Sequence, residues 1–191
     1  MMIGDKFFRK VDQNSWDPNT RKKEMIEMGI SKQVLSTVPV LFNYWAKGEH
    51  CLQTSMFYND HIAEVCLKHP ENYYGIGTLP MQDPDLACRE LERCMKVLGM
   101  KGIEIGTHIN DWNLNDKVLW PVYAKAEELG ACIFVHPWDM MGEKDMQKYW
   151  LPWLVGMPAE VSRAICSLIF SGTLERLPNL RLLLTTGFRN A

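Results

Sequence analysis

Several things are missing from this 191-residue sequence, and each absence removes a class of function. No run approaches the roughly 18 consecutive apolar residues of a membrane-spanning helix, so no membrane partner is expected. Charge of one sign is not in excess. Lys and Arg number 21 against 23 Asp and Glu, and the net charge of −2 leaves no footprint for nucleic acid or an anionic surface. The opening stretch, MMIGDKFFRK, lacks the apolar core of a signal peptide, which points to the cytosol. Linkers and low-complexity segments are also absent, so residues 1–191 are expected to form one domain.

The cysteines, Cys51, Cys66, Cys88, Cys94, Cys132 and Cys166, include no C-x-x-C pair. They read as reduced, mostly buried small hydrophobes, and a zinc knuckle, which needs close ligand pairs, is not expected. Nor is there a G-x-G-x-x-G fingerprint, an H-x-H pair or an H-E-x-x-H motif.

What is present is a rhythm. Tyr74 to Leu79 reads as a strand, and Asp83-Pro84 then opens a helix as N-cap and first-turn proline. Leu86, Ala87, Leu91, Cys94, Met95 and Leu98 share one face of that helix, and Gly99 closes it. A second strand follows at Gly102 to Gly106, then a helix through Tyr123, Ala126 and Leu129 that stops at Gly130. Upstream, Asp17-Pro18 caps a helix ending near Gly29, Val34 to Val40 forms a strand, and residues 53–68 are helical. Downstream, a helix over 158–177 lies between Pro158 and Pro178, and Asn179 to Thr185 makes a last strand.

Strands alternating with helices imply a parallel sheet with functional groups at the carboxyl ends of its strands. Two architectures compete. A doubly wound sheet is complete with five strands, whereas a (β/α)₈ barrel typically takes about 250 residues. Length favours the first, and the strand ends favour the second.

At those ends stand Gly106-Thr107-His108 and His136-Pro137-Trp138-Asp139. The run Cys132-Ile133-Phe134-Val135 leads straight into His136, so an imidazole closes a buried strand. Two strand-end histidines suggest metal or acid–base chemistry, and hydrogen-bonded core histidines are the alternative. His50, His61 and His69 fall in helical or loop stretches and read as solvated.

Longer runs narrow the choice. Leu35-Ser36-Thr37-Val38-Pro39-Val40, Gly77-Thr78-Leu79-Pro80-Met81-Gln82, Ile105-Gly106-Thr107-His108, His136-Pro137-Trp138-Asp139-Met140 and the segment from Lys148 to Glu160 resemble the aminocarboxymuconate-semialdehyde decarboxylase family. The resemblance extends from about Phe7 to Leu184. It implies an α/β fold of the metal-dependent hydrolase type, a partial (β/α)₈ TIM barrel whose five parallel strands correspond to barrel strands two to six. It implies zinc and a homodimer. It also implies a small-molecule substrate, an intermediate of tryptophan breakdown that loses a carboxylate without redox chemistry and is thereby diverted from quinolinate and NAD. On the same basis His136 corresponds to a zinc ligand, Arg9 to an arginine gripping a substrate carboxylate, and Trp153 to an aromatic wall of the pocket. The Trp-Leu-Pro-Trp run sets this family apart from relatives that hydrolyse ring amides.

The sequence also departs from the family pattern. The family's first-strand H-x-H zinc pair would precede residue 1, while its aspartate ligand and an arginine lent across the dimer would follow Ala191. The family's acid–base histidine falls at Thr186, whose hydroxyl cannot accept a proton usefully near neutrality. A splice variant or truncated reading over residues 185–191 is one expectation. Others are that residues 1–191 alone bind zinc weakly, turn over no substrate, and expose strand edges that invite aggregation. A non-catalytic role beside a full-length subunit is the alternative function.

Overall fold

The computed structural model describes residues 2–3, 5–7 and 10–185. Helix α1 (Pro18–Glu27) starts where Asp17 Oδ1 accepts the Asn19 N–H at 3.0 Å, as its Asp-Pro pair predicts. Strand β1 (Gln33–Leu35) is shorter than the sequence suggests. The chain leaves it through Ser36 to Val38, and Pro39 opens a 3₁₀ turn at Pro39–Leu41 instead of continuing a ladder it cannot donate to. Helix α2 (Gly48–Lys68) begins five residues before the expected start.

Next come β2 (Tyr73–Gly75) and β3 (Gly77–Thr78), two halves of one run interrupted at Ile76, whose N–H reaches Leu35 O at 3.0 Å. Helix α3 (Pro84–Lys96) is capped by Asp83, and Gly99 takes φ +66° just past its end. Strand β4 (Gly102–Gly106) has the bounds read from the sequence. Helix α4 (Trp120–Leu129) stops at Gly130, whose left-handed φ of 63° lets its N–H reach the last carbonyls. Strand β5 (Cys132–His136), helix α5 (Met157–Phe170), the short α6 (Thr173–Arg176) and β6 (Arg181–Leu184) complete the order. The single helix expected over 158–177 is two, because Gly172 turns the chain at φ 70°.

All pairings among these strands are parallel, and each strand neighbours the next in sequence. Val34 pairs with Tyr74, Thr78 with Glu104, Glu104 with Phe134, and Phe134 with Leu183. A doubly wound sheet requires a point where strand order reverses, and none occurs among the described residues. The arrangement is therefore an arc of a (β/α) barrel, the second of the two architectures.

Its two faces differ. Ile103, Ile105, Ile133 and Val135 point outward and pack against Ala87, Leu91, Val122, Tyr123, Ala126, Ala164 and Leu168, all essentially inaccessible. Full burial of side chains this size contributes about 1.5–3 kcal/mol each. The inner face carries Thr78, Glu104, Phe134, His136 and Leu183, of which Phe134 and His136 are half-buried and Leu183 is 55 % exposed. Buried Asn59 of α2 locks the helix layer to the strands. Its amide accepts Thr78 N–H at 2.8 Å and donates to Thr78 O at 2.9 Å and Glu90 at 2.7 Å.

Contrary to the absence expected from apolar runs, the helical stretch Pro152–Phe170 is long and apolar enough to cross a membrane by length and composition. In the fold it lies against the arc, with Met157, Glu160, Val161, Ala164 and Leu168 buried.

Candidate active site

The loops at the carboxyl ends of β1 and β5 and the start of the α5 region enclose a cleft of about 410 Å³. Its lining includes Val38 and Val40 from the first loop, His136, Trp138 and Met140 from the second, and Trp153 and Met157 from the third. Two carboxylates, Asp139 and Glu143, also border it. Thus two of the residues singled out from the sequence, His136 and Trp153, share one cavity. The other two positions, Arg9 and Thr186, lie outside the described residues.

His136 is set up as a neutral ring. Its Nδ1 lies 2.9 Å from Pro137 O and donates to it, which leaves Nε2 with the lone pair. Burial, the larger influence, pushes the imidazole below its ordinary pKa, and the Pro137 carbonyl partly opposes this. A neutral ring whose far nitrogen is fixed by a carbonyl is the form a metal ligand takes. That fit covers one coordination position. Catalytic zinc usually has three protein ligands, and no group of three or more His, Cys, Asp or Glu side chains poised to hold a metal exists among the described residues.

Trp153 sits on a single π-helical turn, Pro152–Gly156, and is 41 % exposed, its ring 5.0 Å from that of Trp150. Such turns gather at functional sites. Just before it, Tyr149 and Trp150 both adopt φ of 58°, a left-handed conformation costing about 1–2 kcal/mol per residue. Gly156 allows the turn to approach the β5 loop, since a Cβ there would lie 3.0 Å from Met140 Cβ.

The loop after His136 is fastened from two directions. His108, the second strand-end histidine, is not among the cleft-lining residues; its Nε2 lies 2.9 Å from Asp139 O and its Nδ1 2.7 Å from Asn110 O. Fully buried Glu160 of α5 accepts from Met141 N at 3.0 Å, Thr107 Oγ1 at 2.9 Å and Arg163 Nη2 at 2.6 Å. Sequence reading passed over Glu160, although a carboxylate inside the apolar stripe Met157, Val161, Ala164 and Leu168 signals a buried, partnered group. It passed over Glu104 as well. That side chain is 1 % exposed on the inner face of β4, its Oε2 has no partner among the described residues, and burial pushes its pKa up to about 8 against an opposing Ser36 hydrogen bond.

The remaining titratable candidates are structural. His50 and His61 are exposed and His69 is half-buried. Burial raises the thiol pKa of Cys51, Cys66, Cys88, Cys94 and Cys132, and all six cysteines are free.

Comparison with known proteins gives these features a context. The amidohydrolase family model matches residues 11–185. A 2-amino-3-carboxymuconate-6-semialdehyde decarboxylase from Dictyostelium discoideum is 50 % identical over 98 % of this chain and 52 % of its own length. One from Caenorhabditis elegans is 33 % identical over 98 % of this chain and 59 % of its own. This chain therefore spans about half the length of these relatives. The crystal structure of a dihydroxybenzoic acid decarboxylase from Polaromonas sp. JS666, with bound manganese and the inhibitor 2-nitroresorcinol, superposes with a TM-score of 0.76 at 28 % identity, covering 87 % of this chain and 53 % of that one.

Proposed function

The chain belongs to the amidohydrolase family, and on that premise we propose that it serves the non-oxidative decarboxylation of 2-amino-3-carboxymuconate 6-semialdehyde to 2-aminomuconate 6-semialdehyde. The observation that carries the reading is the convergence of His136 and Trp153 on one cleft at the carboxyl ends of the strands. Support comes also from the two relatives of that name, which match almost the whole chain.

Within this reading His136 supplies one ligand to a divalent metal, and zinc is the ion we propose. When bound, such an ion polarises substrate oxygens. Trp153 forms an apolar wall against which a flat, conjugated substrate stacks, and Arg9 grips its carboxylate through a bidentate guanidinium fork. The reaction belongs to tryptophan catabolism by the kynurenine route, in the cytosol, where it limits quinolinate and NAD formation; the working form is a homodimer.

Metal analysis of purified protein, run beside an absorbance assay of substrate loss, tests this. Divalent-metal binding, however weak, that disappears in His136→Ala supports the reading, and binding unaffected by that substitution refutes it; turnover by residues 1–191 alone would overturn the expectation that one ligand is too few. The shortage of metal ligands among the described residues favours a second reading, a non-catalytic chain that pairs with a full-length subunit. Co-expression with such a subunit and a pull-down decides between them.

A further inference from the structure

His108 makes two hydrogen bonds that a neutral imidazole cannot make at once. Both ring nitrogens face backbone carbonyl oxygens, Nδ1 that of Asn110 at 2.7 Å and Nε2 that of Asp139 at 2.9 Å. A carbonyl oxygen only accepts. A neutral ring, with one N–H, would therefore set a bare nitrogen lone pair against an oxygen lone pair at contact distance. Both separations fall in the range of charge-assisted N–H···O bonds.

The carbonyls it joins matter as much. Asn110 O belongs to the turn of the hairpin formed by His108–Ile109 and Trp112–Asn113, so that bond fixes the ring on its own strand end. Asp139 O belongs to the loop carrying the cleft residues Trp138 and Met140, three residues beyond His136. Asp139 has φ 61°, and a non-glycine residue stays in that region only where its surroundings over-determine it. Here the loop is gripped on either side of the strained backbone, by His108 at Asp139 O and by Glu160 at Met141 N.

We propose that His108 is a positioning residue whose ring carries hydrogens on both nitrogens and, as a cationic strut between two carbonyls, sets the conformation of the loop that follows His136. The hydrogen bonds rest on geometry alone; the consequence for substrate binding rests on the decarboxylase reading given above.

Long-range proton–nitrogen NMR of the histidine rings in ¹⁵N-labelled protein near neutral pH tests the first part, with the His108 ring assigned by through-bond correlation to its own backbone signals in the parent protein. Two protonated-type ring nitrogens are expected. One protonated and one bare nitrogen would overturn the proposal, and this measurement needs no variant to fold. His108→Phe, which keeps a ring but no donors, should shift the His136 ring signals and the Trp153 fluorescence, and weaken substrate binding in the cleft about tenfold. His108→Gln, which retains one donor, should recover part of both. Unchanged His136 signals in His108→Phe would also refute it. If the spectra agree while neither parent nor variant binds the substrate, the strut stands and the assigned reaction falls.

Discussion

Replacing Glu104 with Gln tests whether the inner face of the arc holds an un-ionised acid. The side chain is 1 % exposed, Oε2 lacks a partner among the described residues, and burial raises the pKa from 4.5 to about 8. Because the folded pKa lies above the unfolded one, the folded chain holds this proton over a window where the unfolded chain has released it. The associated stability is complete below about pH 4.5, declines by about 1.4 kcal/mol per pH unit, and is exhausted above about pH 8. The full interval corresponds to on the order of 5 kcal/mol. Glutamine preserves the shape and cannot ionise, so it lacks this dependence. Urea melts of both proteins from about pH 5 to about pH 9 should show the parent losing stability relative to Glu104→Gln, and the difference levelling at the alkaline end. In thermal melts each kcal/mol appears as roughly 2–4 °C for a chain of this length. A difference that stays constant across the range, or that moves in the parent's favour as pH rises, would show that Glu104 is ionised in the fold.

Asn59→Leu strands the Thr78 N–H in the interior and takes one donor from Glu90, whose Oε1 keeps Arg93 Nη2 at 2.9 Å, and should cost about 1–3 kcal/mol in urea denaturation; no measurable loss contradicts the locking role. Gly102→Ala would place a Cβ 1.9 Å from Cys132 O, backbone that no rotamer can move aside, and should destabilise by about 2 kcal/mol or more. Gly99→Ala meets no atom within 4 Å and carries only the left-handed penalty of about 1 kcal/mol, so the reverse ranking would refute the strand-contact argument. Trp153→Ala should weaken substrate binding about tenfold in a titration, near 1.4 kcal/mol, with little change in melting temperature because the indole is partly exposed. A change confined to melting would make that side chain a packing element.

Much of the βα rhythm was legible because its signals are local. Asp17 and Asp83 cap helices next to prolines, Gly130 ends one, and Gly102 to Gly106 alternates in place. The missed breaks were local too. Pro39 converts the expected tail of the first strand into a turn, and Gly172 divides the last long helix. The site was harder to read. His136 could be placed at a strand end from its own run, but its neighbour in the cleft, Trp153, came only from the resemblance, because the return of the 152–157 turn to the β5 loop depends on packing. The roles of Glu160 and His108 depend on contacts 53 and 31 residues away along the chain. Periodicity marks such residues as anomalous and cannot say what they hold.

The sequential strand order bears on how this molecule comes into being. Among the described residues no strand skips over a neighbour to pair with one made later; each new βα unit leaving the ribosome finds its docking edge already built. Ring closures stay short, so the entropic barrier to adding a unit is similar at every step. The same geometry leaves the newest strand, β6 at Arg181–Leu184, bonded to β5 on one side, with no partner on its other side among the described residues. Whatever strand approaches that margin first, from the same polypeptide or another, meets a ready row of N–H and C=O groups.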